Sequence, residues 1–283
     1  MMHGWVAQDE MSKMTYPFHH DFRSVVGPTS LCKVSCSRSV VNSFQPRETP
    51  YDLYFTLAGI PVRVHPFFWV MAAFLGISSG DLFTLVGWVL AVFVAVLVHE
   101  LGHALTMRAF GYYPRITLYG LGGYTEYGMR DAFVRPPRAL GRILILAAGP
   151  GTGFLLAAVL AAVLLALGRP VAAFVGWPIG LYIVTNLGHP WMTDFVNSLF
   201  FVTVGWGILN LLPVLPLDGG QILREVLGLR DPSWGTFRAA QVSFLVGAGI
   251  AFWAALSSNF FLAVLFGYFA YMNYQLLRGP SLW

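Results

Sequence analysis

Between residues 66 and 278 long apolar runs alternate with short segments that carry most of the charge. The runs lie at 66–79, 82–110, 139–168, 193–213, 238–257 and 260–278. Most approach the ~20 residues a helix needs to cross a hydrocarbon core, so the pattern predicts six transmembrane helices. The first run is short and is expected to recruit the preceding "GIPVRV" at 59–64; the second is long enough that it must tilt or protrude. A further apolar stretch, "VAAFVGWPIGLYIVTN" at 171–186, is broken by Gly176, Pro178 and Gly180 and reads as an interfacial or re-entrant piece. In "RITLYGLGGYTEY", 115–127, β-branched and aromatic residues flank Gly122 and Gly123, the signature of a hairpin. The expected fold is an all-α polytopic membrane protein with about six transmembrane helices and a small membrane-associated β-hairpin. Residues 1–50 read as a disordered cytoplasmic tail, and 51–283 as one membrane domain.

Composition supports the membrane assignment. Hydrophobic residues make up 57% of the 283 and charged residues only 11%, where a soluble domain carries about 25%. Charge then orients the chain. With six spans and both termini on one side, Arg169 is the only one of the 17 basic residues on the other. By the positive-inside rule the termini are cytoplasmic, and the compact build suggests a prokaryotic inner membrane. The net charge of +4 is dispersed over loops and forms no stripe, which excludes a nucleic-acid partner. Cys32 and Cys36 lack further ligands nearby and read as free thiols.

Against this apolar background the second run, "AVFVAVLVHELGHALTMRAF", contains His99, Glu100 and His103. Positions i and i+4 share a helix face, so both imidazoles can point at one centre while Glu100, about 100° round, reaches a further ligand there. An ionised residue at membrane depth costs on the order of 2.5–3.5 kcal/mol. Zinc offsets such a cost, since structural-site affinities are about 10–16 kcal/mol at neutral pH. The plain alternative is a polar patch that pairs helices. A hydrolytic zinc site uses three protein ligands and an open position. Downstream carboxylates are Glu126, Asp131, Asp194, Asp218, Glu225 and Asp231, and Asp218 alone stands in deliberately broken apolar sequence, "NLLPVLPLDGG". Irregular backbone at membrane depth is tolerated where it lines an enclosed or wet cavity. The competing reading has Pro213, Pro216, Gly219 and Gly220 merely ending the fourth span, with Asp218 capping the next helix. His65 and His189, each before a proline, read as interfacial.

"HELGH", "AAGPG" at 147–151 and "NLLPVLPLDGG", in that order, resemble the site-2 protease family of intramembrane zinc metalloproteases, peptidase family M50. Asn210, Pro213, Pro216, Asp218 and Gly219 meet the family's N-x-x-P-x-x-P-x-D-G pattern in full. The resemblance implies one zinc ion per chain held by His99, His103 and Asp218, with Glu100 as general base and Asn210 holding the substrate or oxyanion. It implies a metalloendopeptidase that cleaves transmembrane segments of single-pass membrane proteins within the lipid bilayer. It further suggests that the hairpin at 115–127 pairs with unwound substrate. Gly153 stands where the family often has asparagine, so any polar role there falls to Thr152. Neither a PDZ insertion nor a C-terminal CBS pair is expected. A non-hydrolytic membrane zinc-binding or transport protein could use the same ligands, but it would have no need of a base beside His99.

Overall fold

The computed structural model describes residues 46–77, 80–127, 137–176 and 180–279. Cys32, Cys36, Asp131 and nearly all of the expected tail lie outside these residues. Seven helices and six strands follow in chain order: β1 Leu53–Leu57, β2 Ile60–Val64, α1 Pro66–Leu75, α2 Leu82–Ala109, β3 Arg115–Tyr119, β4 Gly122–Glu126, α3 Ala139–Ala166, β5 Val171–Gly176, β6 Gly180–Thr185, α4 Pro190–Asn210, α5 Asp218–Leu227, α6 Pro232–Leu256 and α7 Phe260–Arg278.

Five helices, α2, α3, α4, α6 and α7, are long and apolar enough to cross a membrane. The start of the first expected span is corrected. Its helix, α1, has ten residues, about 15 Å at 1.5 Å each, half the thickness of a hydrocarbon core. The residues expected to lengthen it form β2 instead, because Ile60, Val62 and Val64 alternate into the core with the period of a strand. Local signals mark the helix starts. Asp81 accepts hydrogen bonds from the Phe83 and Thr84 amides to cap α2, His65 accepts from Phe67 before Pro66, and Asp231 before Pro232 caps α6.

The central helix is α2, about 42 Å long, packed between α3 and α4. Val92, Ala95 and Val96 of its apolar face join Leu199 and Val202 of α4 in one core with Ile60, Val62, Val64, Ile116 and Leu118 of the sheet. The sheet has the order β1-β2-β3-β4; β2 and β3 run parallel, the outer pairs antiparallel. The expected hairpin, β3–β4, is therefore half of a larger sheet, and the β1–β2 hairpin beside it was not foreseen. Arg108, in the last turn of α2, donates to the Ala58 carbonyl in the β1–β2 turn and ties the sheet to the helix.

Within 171–186, β5 and β6 pair antiparallel in a separate two-stranded sheet rather than forming a spanning helix. Asn197 of α4 holds it, accepting from the Thr185 amide at 2.8 Å and donating to the Thr185 carbonyl at 3.2 Å.

Candidate metal centre

Three donor atoms converge beside the C-terminal half of α2. The Nε2 atoms of His99 and His103 lie 3.2 Å apart, and Oδ2 of Asp218 lies 3.1 Å from the first and 3.3 Å from the second. All three residues are buried, and together they can hold a metal ion. The two histidines meet because they are one helical turn apart. Asp218 arrives from 115 residues beyond His103 through the break after α4.

That break is built as the prolines and glycines require. α4 ends at Asn210, residues 211–217 turn without regular structure, and the chain re-enters a helix at Asp218 with a cis peptide between Leu215 and Pro216. Asp218 thus occupies the first turn of α5 and faces the histidines; the N-cap is Leu217, and no side-chain cap bond is made there. A side chain at Gly219 would run into the Leu211 backbone, so the close return of the chain needs a residue without Cβ. Two buried polar residues of the last spans satisfy the irregular backbone. Ser243 Oγ accepts from the Leu215 amide at 2.9 Å, and Asn273 Nδ2 donates to the Leu215 carbonyl at 2.8 Å. The sequence analysis did not single out either one. The available signal was a Ser and an Asn inside apolar helices, where a polar group needs a partner.

The neighbours of the donors set their chemistry. Nδ1 of His103 lies 2.7 Å from the Ile145 carbonyl of α3. A carbonyl only accepts, so Nδ1 carries the hydrogen and Nε2 presents a lone pair to Asp218. Oδ2 of Asp218 is buried without a hydrogen-bond partner among the described residues. Two lone-pair donors facing each other at 3.3 Å repel unless a metal ion or a proton lies between them. A tetrahedral ion with bonds of about 2.0–2.1 Å separates its ligands by roughly 3.3 Å, close to the spacing found. By both spacing and donor type, the residues fit a metal.

Glu100, buried one residue along from His99, is held by the edge strand β4. Thr125 Oγ1 donates to Glu100 Oε2 at 2.8 Å and lies 3.2 Å from the Glu100 carbonyl. Gly123 lets the strand approach, since a Cβ there would stand 2.7 Å from Glu100 Cγ. On the other side, α3 passes so close that a side chain on Gly149 would overlap the His103 ring. This gives the "AAGPG" motif a physical reason. Thr152 does not enter the site; its hydroxyl bonds to the Val98 carbonyl and stitches α3 to α2. Asn210 donates to the Trp206 carbonyl one turn back in α4, at 3.0 Å.

Residues 87–256 match the sequence profile of peptidase family M50. Over 225 residues the chain is 28% identical to "Zinc metalloprotease MJ0392" of Methanocaldococcus jannaschii, covering 76% of this chain and 58% of that protein. Over 211 residues it is 31% identical to "Putative zinc metalloprotease Rip3" of Mycobacterium tuberculosis, with 67% and 48% covered. It is 32% identical over 166 residues to "Stage IV sporulation protein FB" of Bacillus subtilis, with 58% and 46% covered. The chain spans about half the length of these curated relatives. A solved structure, "Site-2 Protease from Methanocaldococcus jannaschii", matches with a TM-score of 0.52 at 24% identity, covering 82% of this chain and 97% of that one. At that identity the likeness is one of fold.

Proposed function

Since the chain belongs to peptidase family M50, we propose that it is a zinc-dependent endopeptidase that cuts transmembrane segments of other membrane proteins. The observation that carries this reading is the buried Asp218 Oδ2, without a hydrogen-bond partner and facing the Nε2 atoms of His99 and His103. These three residues hold the ion. Zinc bound there supplies a Lewis acid that brings a bound water into the neutral pH range and polarises a peptide carbonyl.

The chain's own residues do the rest. Glu100 accepts the proton of the attacking water and returns one to the leaving amine nitrogen. Thr125 occupies its Oε2 and leaves Oε1 to carry that proton. The burial of Glu100, His99 and His103 keeps bulk water from the reacting carbonyl.

A transmembrane substrate must unwind before its carbonyls are accessible, because a helix occupies them with its own bonds. β4, hydrogen-bonded through Thr125 to the base, is the edge strand of the sheet beside which such an extended segment would lie. Asn210, at the end of α4, is assigned to hold the substrate or the oxyanion. The distribution of Arg and Lys supports cytoplasmic termini.

The test compares purified wild type with Glu100→Gln and Asp218→Ala. Glu100→Gln is expected to keep about one zinc per chain and lose cleavage of a model transmembrane substrate by two or more orders of magnitude. Asp218→Ala is expected to lose zinc. Cleavage retained in Glu100→Gln sinks the assignment of the base, and undiminished zinc affinity in Asp218→Ala sinks that of the third ligand.

A further inference from the structure

Arg142 and Glu225, 83 positions apart, join α3, whose Ile145 carbonyl meets His103, to α5, which carries Asp218. Arg142 lies in the first turn of α3. Its Nε donates to Glu225 Oε2 at 2.7 Å, its Nη2 lies 2.6 Å from the same oxygen, and its Nη1 donates to the Pro137 carbonyl at 2.9 Å. The guanidinium is therefore fixed at three nitrogens. The carboxylate side is largely buried, with 13% of the Glu225 side chain exposed against 40% of Arg142. Together with Tyr112, Tyr127, Gln221 and Arg224 the pair lines a cavity of about 290 Å³.

Each partner stands close in the chain to a component of the site. Ile145, three residues after Arg142, presents the carbonyl that fixes the His103 ring. Asp218 lies seven residues before Glu225, two turns along α5 on the same face. α5 also packs against α6, but its polar ties are few. It has ten residues, its N-cap Leu217 contributes no side-chain hydrogen bond, and Gln221 bonds back only to the Pro216 carbonyl. Apart from the metal centre itself, Arg142–Glu225 is the one side-chain hydrogen bond from α5 to another helix among the described residues. Arg224, 3.5 Å from the other oxygen of Glu225, sits on α5 as well and cannot link it to α3.

We propose that the Arg142–Glu225 pair positions the metal centre, setting the rotation and height of α5 against α3 so that Asp218 Oδ2 meets the two histidine nitrogens. This rests on the reading of His99, His103 and Asp218 as metal ligands. A donor-fixed, largely buried carboxylate transmits position better than an exposed pair, because the fork of Arg admits few geometries. Without Arg142 the carboxylate keeps only Arg224 of its own helix, and α5 loses its side-chain tie to α3.

The experiment uses the full chain in detergent and measures zinc affinity by competition with a chromophoric chelator, with thermal unfolding of the metal-free protein alongside. Arg142→Ala and Glu225→Gln are each expected to weaken zinc binding about ten- to a hundredfold, the range for residues that orient ligands. Exchanging the charges, Arg142→Glu with Glu225→Arg, is expected to recover most of that loss. A pair that merely stabilises the fold would lower the unfolding temperature and leave the zinc affinity of the folded protein unchanged. That result overturns the proposal, as does a charge exchange that binds zinc no better than the single variants. Should a single variant fail to fold, Arg142→Lys decides. Its ammonium cannot reproduce the fork, so weaker zinc binding is required and unchanged binding overturns the proposal. If wild type binds no zinc, the reading of the metal centre itself falls, and the role of the pair with it.

Discussion

Thr125 donates its hydroxyl to the carboxylate of Glu100 across 2.8 Å, linking the edge strand of the sheet to the second helix. This bond fixes one oxygen of the proposed base. Thr125→Val preserves the shape and removes the donor. It is expected to lower the cleavage rate about tenfold or more while zinc content stays at the wild-type level, and Thr125→Ser is expected to restore the rate. Wild-type turnover by the Val variant would show that β4 plays no part in holding the base.

Gly149 faces the ring of His103, and a methyl group there would overlap it. The ring cannot swing aside without giving up the Nδ1 bond to Ile145. Gly149→Ala should therefore weaken zinc binding about ten- to a hundredfold. Because alanine is the better helix former, helix content by circular dichroism should not fall. Zinc affinity equal to wild type would mean that α3 can retreat and that the close contact is not required.

Asp52 supplies a pH dependence far from the centre. Burial pushes its carboxyl upward, but hydrogen bonds from Thr49 and Arg63 and the charge of Arg63 outweigh it, holding the group down at about 2 against an ordinary 3.8. Arg63 belongs to β2, so the charged carboxylate fastens the first hairpin. A carboxyl depressed on folding contributes stability that is complete above its unfolded value and is lost as pH falls through its folded one. The contribution should fade between about pH 4 and pH 2. Unfolding temperatures across this range should converge for wild type and Asp52→Asn as the pH falls. A constant gap between them would count against the assignment.

Much of this was legible because membrane solvent makes polar residues conspicuous. His99, Glu100 and His103 stand out in an apolar helix, and their spacing alone puts the histidines on one face. Asp218 stood out because prolines and glycines broke an apolar run beside it, and the structure brings it within 3.3 Å of both histidine nitrogens. The first span was misjudged for a related reason. Hydropathy counts apolar residues without regard to period, so Ile60, Val62 and Val64 looked like the start of a helix when their alternation belonged to a strand. The β1–β2 hairpin went unseen because its turn, Ala58–Gly59, is held by Arg108 from 50 residues away.

The membrane class, the pair of histidines on one helix, the glutamate beside them and the break before Asp218 could all be read along the chain. These depend on helical period and on the cost of burying polar groups, which are local properties of the chain. Tertiary structure alone decided what surrounds them: Thr125 on Glu100, Ile145 on His103, Ser243 and Asn273 on the Leu215 backbone, and Arg142 on Glu225. Each of these contacts joins segments that no periodicity relates. Which donor meets which acceptor was settled only when the packing of α2, α3, α5 and the sheet brought them together.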